Sequence, residues 1–232
     1  MGTQIKLTAA DGHQLDAYFA ASSGPARGAI VLLQEIFGVN SHIRSVADDY
    51  AAQGFHVVAP ALFDRVQRNL ELGYTSPDAA QGMKVARQIG LDIALKDVAA
   101  SIGHARAQWA DLKVGVVGYC YGGSLAWLAA TRLGPAAAVC YYGGQIAANA
   151  TEMPRCPVRM HFGARDAHIG PEEIEKIRSA HPECLYSSTM PAMDLIATSA
   201  RTLSRNQPAW PASARSISCA ITCDFAYAPL TP

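Results

Sequence analysis

Apolar residues fall in two patterns along this chain, and the two take turns. The first is an alternation of apolar with polar positions. "IKLTAADGHQLDAYFAAS" (5–22) turns over at Asp11-Gly12 and predicts a two-stranded hairpin. The second is the short continuous run: Ala29 to Leu33, "FHVVAPALF" (55–63), "KVGVVGY" (113–119), "AAAVCYYGG" (136–144) and "PVRMHFGARD" (157–166). Such runs predict strands covered on both faces, as in a parallel sheet. Segments with apolar residues at helical spacing lie between them. "SHIRSVADDYAAQG" (41–54) opens on a Ser cap and closes on a Gly stop. Residues 76–110 read as helical with one polar face, "SLAWLAATRLG" (124–134) as a helix, and another helix begins near Pro171. This alternation predicts an α/β architecture: a doubly wound, mostly parallel sheet with helices on both faces. One domain is expected over residues 1–183, with no internal repeat and no earlier linker.

Composition narrows the function classes. Half of the 232 residues are apolar, enough for a sizeable core, and 19 basic residues balance 19 acidic ones. No basic patch stands out, so nucleic acid is not an expected partner. No apolar run reaches the length of a membrane span, and "MGTQIKLTAADGHQLDAYFA" is amphipathic and charged, unlike a signal peptide. The expectation is a cytoplasmic protein with no membrane partner. Its six irregularly spaced cysteines are then expected to be reduced.

The stretch "VGVVGYCYGG" (115–124) carries the sharpest chemistry. Gly118-x-Cys120-x-Gly122, after a strand and before a helix, is a nucleophile elbow with cysteine in the place of serine. The glycines leave room where a tight turn presses on its neighbours. Amides and the positive end of the following helix would favour the thiolate. The plainer alternative is a buried cysteine in a glycine-rich turn. The pattern is not G-x-G-x-x-G and no Walker lysine follows it, so a nucleotide site is not expected. Glu35 follows the strand ending at Leu33, with Gln34 between. That places a carboxylate at the mouth of the sheet, where α/β sites are built, unless it is merely a solvated surface group.

"LLQEIFGVNSHIRSVADDYAAQGFHVVAPALFDR" (32–65) together with "VGVVGYCYGG" resembles the dienelactone hydrolase family of α/β-hydrolases, over residues from about 5 to 183. The pairing of Gln34-Glu35-Ile36-Phe37-Gly38 with the cysteine elbow is more specific than the elbow alone. The resemblance implies an α/β-hydrolase fold and hydrolysis of small esters or lactones, such as dienelactone to maleylacetate in chloroaromatic degradation. It implies neither a metal nor a cofactor. It also implies that Glu35 contacts Cys120 and helps it switch between thiol and thiolate. The backbone N–H groups of Ile36 and Tyr121 would form an oxyanion hole.

Asp166, in the turn of "MHFGARDAHIG", stands where the acid of an α/β-hydrolase triad is expected, after the nucleophile and before the histidine. There it would orient an imidazolium; the alternative is a turn aspartate capping the helix near Pro171. The histidine itself is missing from its expected place. The seven histidines are at 13, 42, 56, 104, 161, 168 and 181. His168 is too close to Asp166 in sequence, His161 reads as a core residue of a strand, and His181 as a helix-end residue.

From Cys184 the composition changes. Residues 184–232 contain no Gly, His, Lys or Glu, and 26 of the 49 are Ser, Thr, Ala or Pro. The expected last strand, histidine loop and amphipathic helix are not recognisable there. A disordered low-complexity tail is one reading. Loss of one nucleotide near the codon for Cys184 explains more. Back-translating the tail and regrouping each codon with the last base of the preceding one permits a strand, a Gly-His-Gly loop and an amphipathic helix. Over Met190-Pro191-Ala192-Met193-Asp194 the regrouping forces an Ala, two constrained positions and a Gly; the second constrained position admits only His, Tyr, Asn or Asp. The histidine then falls where this chain has Met193. The expectation is a family hydrolase with Cys120, Asp166 and Glu35 in place and its base lost. A non-catalytic relative that binds a small carboxylate or a protein partner is the alternative.

Overall fold

In a computed structural model of the chain, which describes residues 2–163, 166 and 168–189, eight strands form one sheet. They are β1 (Thr3–Thr8), β2 (Gln14–Ala20), β3 (Gly28–Leu33), β4 (Phe55–Pro60), β5 (Val114–Tyr119), β6 (Ala138–Tyr141), β7 (Val158–Gly163) and β8 (Leu185–Thr189). Their spatial order is β1-β2-β4-β3-β5-β6-β7-β8. The hairpin β1–β2 and the β2–β4 pair are antiparallel, and every other pair is parallel. All six residues of β3 are buried, as a strand covered on both faces requires.

Five helices connect the strands: α1 (Ser41–Ala52), α2 (Ser76–Ile89), α3 (Leu91–Gln108), α4 (Tyr121–Arg132) and α5 (Pro171–Ala180). Right-handed crossovers decide which face each one covers. The chain leaves β3 through α1 towards β4 on one side, then returns through α2 and α3 to β5 on the other. Opposite directions of travel put α1 on one face and α3 and α4 on the other. β3 and β5 are neighbours, so the direction reverses between them and opens a crevice beyond their carboxyl ends.

The structure revises three local expectations. The N-cap of α1 is Asn40, whose side chain accepts from Ile43 N–H at 3.2 Å, and Ser41 is the first helical residue. The 76–110 segment is two helices, broken at Gly90, whose φ of 72° and ψ of 156° cannot continue a helix. The sheet also continues past the expected boundary at residue 183. Leu185–Thr189 pairs in parallel with β7, and the Tyr186 hydroxyl donates to His181 O at 2.8 Å under α5. A strand ladder uses backbone groups, so the altered composition that marks the segment does not prevent pairing. The remainder of the tail, including Met193, lies outside the described residues.

Among the described residues no helix is long and apolar enough to cross a membrane. Cys120, Cys140, Cys156 and Cys184 are free thiols.

One buried ion pair ties the hairpin to the helical layer. Arg65 holds Asp97 of α3 through Nε and an amino nitrogen, both at 2.7 Å, and reaches Asp11 in the β1–β2 turn at 3.1 Å. The Asp97 side chain is wholly buried. Asp97→Ala would leave the guanidinium short of its inner partner, so the unfolding free energy should fall by about 3 kcal/mol, read from urea denaturation. Unchanged stability would show that the hairpin does not depend on this tie.

Candidate active site

The crevice at the β3/β5 switch is where the sequence-predicted residues meet. Leu33 pairs with Gly118, so Gln34 and Glu35 lie opposite the elbow that carries Cys120. Cys120 has φ 54° and ψ −112°, a left-handed conformation seldom held by a residue with a side chain. Three backbone hydrogen bonds pin it: Cys120 N–H to Tyr141 O at 3.0 Å, Ser124 N–H to Cys120 O at 3.1 Å, and Gly122 N–H to Gln34 O at 3.0 Å. The glycines are required by space. A Cβ on Gly118 would strike Gly122 O, and one on Gly122 would come within 2.6 Å of Gln34 O.

Gln34 stitches this corner together, a role that its place in the Gln34–Gly38 motif did not reveal. Its backbone carbonyl holds the first turn of α4, and its side-chain oxygen accepts from Leu62 N–H at 3.1 Å. The Tyr121 amide donates towards the Cys120 sulfur.

Glu35 is 1% exposed, so the solvated-surface alternative is excluded. Two phenols serve its carboxylate: Tyr74 donates to Oε2 at 3.0 Å and Tyr142 to Oε1 at 3.4 Å. Burial pushes its pKa up to about 7, against the lowering effect of the two donors. Neither tyrosine was read from the sequence. Tyr142 lies inside the expected run "AAAVCYYGG" but one residue past the end of β6, where its φ of 38° turns it out of the strand, a clue visible only after folding. Tyr74 lies in an irregular segment with no periodic signal.

The thiol does not behave as the helix end alone would predict. The Cys120 pKa is raised to about 12, first by burial, then by the charges of Glu35 and Asp166. The Tyr121 amide pulls the other way and loses. The expectation of a depressed thiol pKa is therefore corrected: in this structure the resting form is the neutral thiol. Desolvation outweighs one helix terminus because a partly buried thiolate gives up much of its water and gains a single amide in return.

Asp166 follows β7, and its charge reaches Cys120. Its Oδ1 accepts from His168 N–H at 2.8 Å, while the N-cap of α5 is Gly170, so Asp166 does not cap that helix. His161 is buried in β7 and stacked on Tyr141 at 4.5 Å. His181 bonds Ala150 O at 2.7 Å and packs edge-on to Trp127. Both take the structural roles read from the sequence. The Met193 position, where the regrouped frame puts a histidine, lies outside the described residues.

A mostly parallel sheet wound on both faces, with a strained elbow at its topological switch, defines an α/β-hydrolase. Solved structures agree on the fold: a Klebsiella pneumoniae protein provisionally described as a dienelactone hydrolase superposes with a TM-score of 0.70 at 23% identity, covering 97% of this chain and 99% of that one. Within that class, residues 15–183 match the Dienelactone hydrolase family, and the chain belongs to it. Carboxymethylenebutenolidase 1 of Cupriavidus pinatubonensis is 30% identical over 181 residues, 76% of this chain and 77% of its own length. The carboxymethylenebutenolidase of Pseudomonas putida is 32% identical over 169 residues, 71% and 72% of the two chains.

The buried carboxyl has a measurable signature in stability. With a folded pKa of about 7 against an ordinary 4.5, the folded state binds the proton more tightly, so stability falls as pH rises between those values. Glu35→Gln removes this dependence. Urea unfolding at pH 4.5 and pH 7.5 should show the variant gaining about 3 kcal/mol on the parent across that window. Parallel curves would mean that Glu35 is not a buried carboxyl of raised pKa.

Proposed function

We propose that the site is built to cleave a small ester or lactone through a thioester on Cys120, and that this chain carries it out poorly because its general base has been lost. The observation that carries this reading is the strained Cys120 elbow facing a buried Glu35. The strain is retained although a residue in regular geometry would cost the fold less. A simple core cysteine has no need of it.

In this reading the Cys120 thiolate adds to the ester carbonyl carbon. The amides of Ile36 and Tyr121 receive the oxyanion, and collapse expels the alkoxide or enolate, leaving an acyl thioester. Water then releases the acid and restores the thiol. Glu35 accepts the thiol proton when the nucleophile forms. Asp166 would orient a histidine that protonates the leaving group and activates water. A permitted reading of the regrouped frame has that histidine at position 193, where Met193 of this chain cannot accept a proton. The substrates are inferred from the relatives: their names make butenolide-type lactones the first choice. No cofactor, metal or macromolecular partner enters the reaction.

The raised Cys120 pKa favours a second reading, a relative that binds a small carboxylate without turning it over. The two readings separate on activity. This chain and a version with the reading frame restored after Cys184 would be assayed on dienelactone and p-nitrophenyl acetate. The restored protein should be active, its Cys120→Ala variant inactive, and this chain weaker by about a hundredfold or more. Equal rates for the two chains would refute the loss of the base. Inactivity of the restored protein would favour the binding role. Sequencing the coding DNA across the Cys184 codon in related strains tests the frame directly: an intact frame encoding the same tail in all of them would refute the lost nucleotide.

A further inference from the structure

The segment between the 3-10 turn Leu62–Arg65 and α2 is docked over the crevice by a specific set of contacts. Leu72 N–H donates to Phe37 O at 2.9 Å, and Asn40 Nδ2 donates to Leu72 O at 3.2 Å. Gly38, at φ 80°, brings its backbone so close to Leu70 O that a Cβ would collide with it. The segment ends at Tyr74, just before the Thr75–Asp78 capping box that starts α2. The Tyr74 ring lies 4.5 Å from that of Phe37, and its hydroxyl lies 3.0 Å from the buried Glu35 Oε2. Yet Tyr74 is 44% exposed. One side chain therefore touches solvent at one face and a buried carboxylate at the other.

We propose that Tyr74 is a positioning residue for the Glu35–Cys120 pair: its ring keeps water off the Glu35 carboxyl, its hydroxyl holds that carboxyl's charge, and together they set the pH at which Cys120 can pass its proton to Glu35. The two parts of the side chain act in opposite directions. Excluding water favours the neutral carboxyl, and donating a hydrogen bond favours the carboxylate. The proposal rests on the reading of Glu35 as the proton partner of Cys120. The titratable groups that face Glu35 are Tyr74 from this segment, Tyr142 from the end of β6 and Cys120 from the elbow, with Asp166 acting on Cys120 from beyond β7. Tyr142 donates at the longer distance of 3.4 Å, so Tyr74 is the closer of the two donors.

The test is the pH dependence of Cys120 alkylation by iodoacetamide in the full chain, followed by mass spectrometry of the Cys120 peptide. Below the Glu35 titration, forming the thiolate releases a proton and the rate rises tenfold per pH unit. Above it, the proton moves from sulfur to Glu35 with no net release, and the profile flattens. The parent should therefore show a break near pH 7. Tyr74→Phe keeps the ring and loses the donor, so the break should move up by roughly one pH unit. Tyr74→Ala loses the ring as well, admits water and should move the break down. Glu35→Gln should abolish it. Circular dichroism of each variant verifies the fold, and the exposed position of Tyr74 favours folding. A break that Glu35→Gln abolishes but that Tyr74→Phe leaves in place overturns the role of Tyr74 alone. Displacement in the same direction by both Tyr74 variants overturns it too. A parent profile without a break overturns this role together with the reading of Glu35 beneath it.

Discussion

Cys120 holds a backbone conformation that costs on the order of 1–3 kcal/mol, and the site depends on keeping it there. Three separate pieces of the fold share that task. β6 supplies Tyr141 O, the end of β3 supplies Gln34 O, and α4 closes its first turn onto the Cys120 carbonyl. None of these bonds involves a side chain, so the elbow is set by sheet order and by the absence of side chains at Gly118 and Gly122. A sheet that reversed its winding elsewhere would not put Gln34 opposite Gly122.

The same close packing creates the electrostatic problem that the site has to solve. A thiol and a carboxyl are enclosed together, and burial resists charging either one. Glu35 is brought to about 7 and Cys120 to about 12, so one negative charge at most is comfortable in the pair near neutral pH. The phenols of Tyr74 and Tyr142 make that single charge tolerable on Glu35. Moving it to sulfur needs a further stabilising contribution, which the Tyr121 amide begins to provide. On the proposed reading the substrate's developing oxyanion and a histidine complete it. On that same reading, a chain without the histidine would keep Cys120 as the neutral thiol.

Much of this was legible in the sequence. Buried runs such as Ala29–Leu33 give the sheet, because a strand covered on both faces has no polar side to show. The elbow spacing gives Cys120, because few other reasons place glycines two residues to either side of a cysteine after a strand. The break at Gly90 was missed because flanking helical periods on both sides mask a single positive φ. Tyr74, and the role of Gln34, were missed for a different reason: both arise from contacts between segments far apart in the chain, which no local period records. The direction of the thiol's pKa was misread because a helix end is visible in sequence and desolvation is not. Strand β8 was missed because side-chain composition says little about backbone pairing.

The central claim is that the strained cysteine is the acyl acceptor. It can be checked without turnover, by incubating this chain with p-nitrophenyl acetate, quenching in acid and mapping acetylated residues by mass spectrometry. The account predicts acetyl on Cys120 ahead of Cys140, Cys156 and Cys184, persisting because the step that hydrolyses the thioester lacks its base. Acetylation spread evenly over the other cysteines and surface lysines, with Cys120 unmodified, would contradict it.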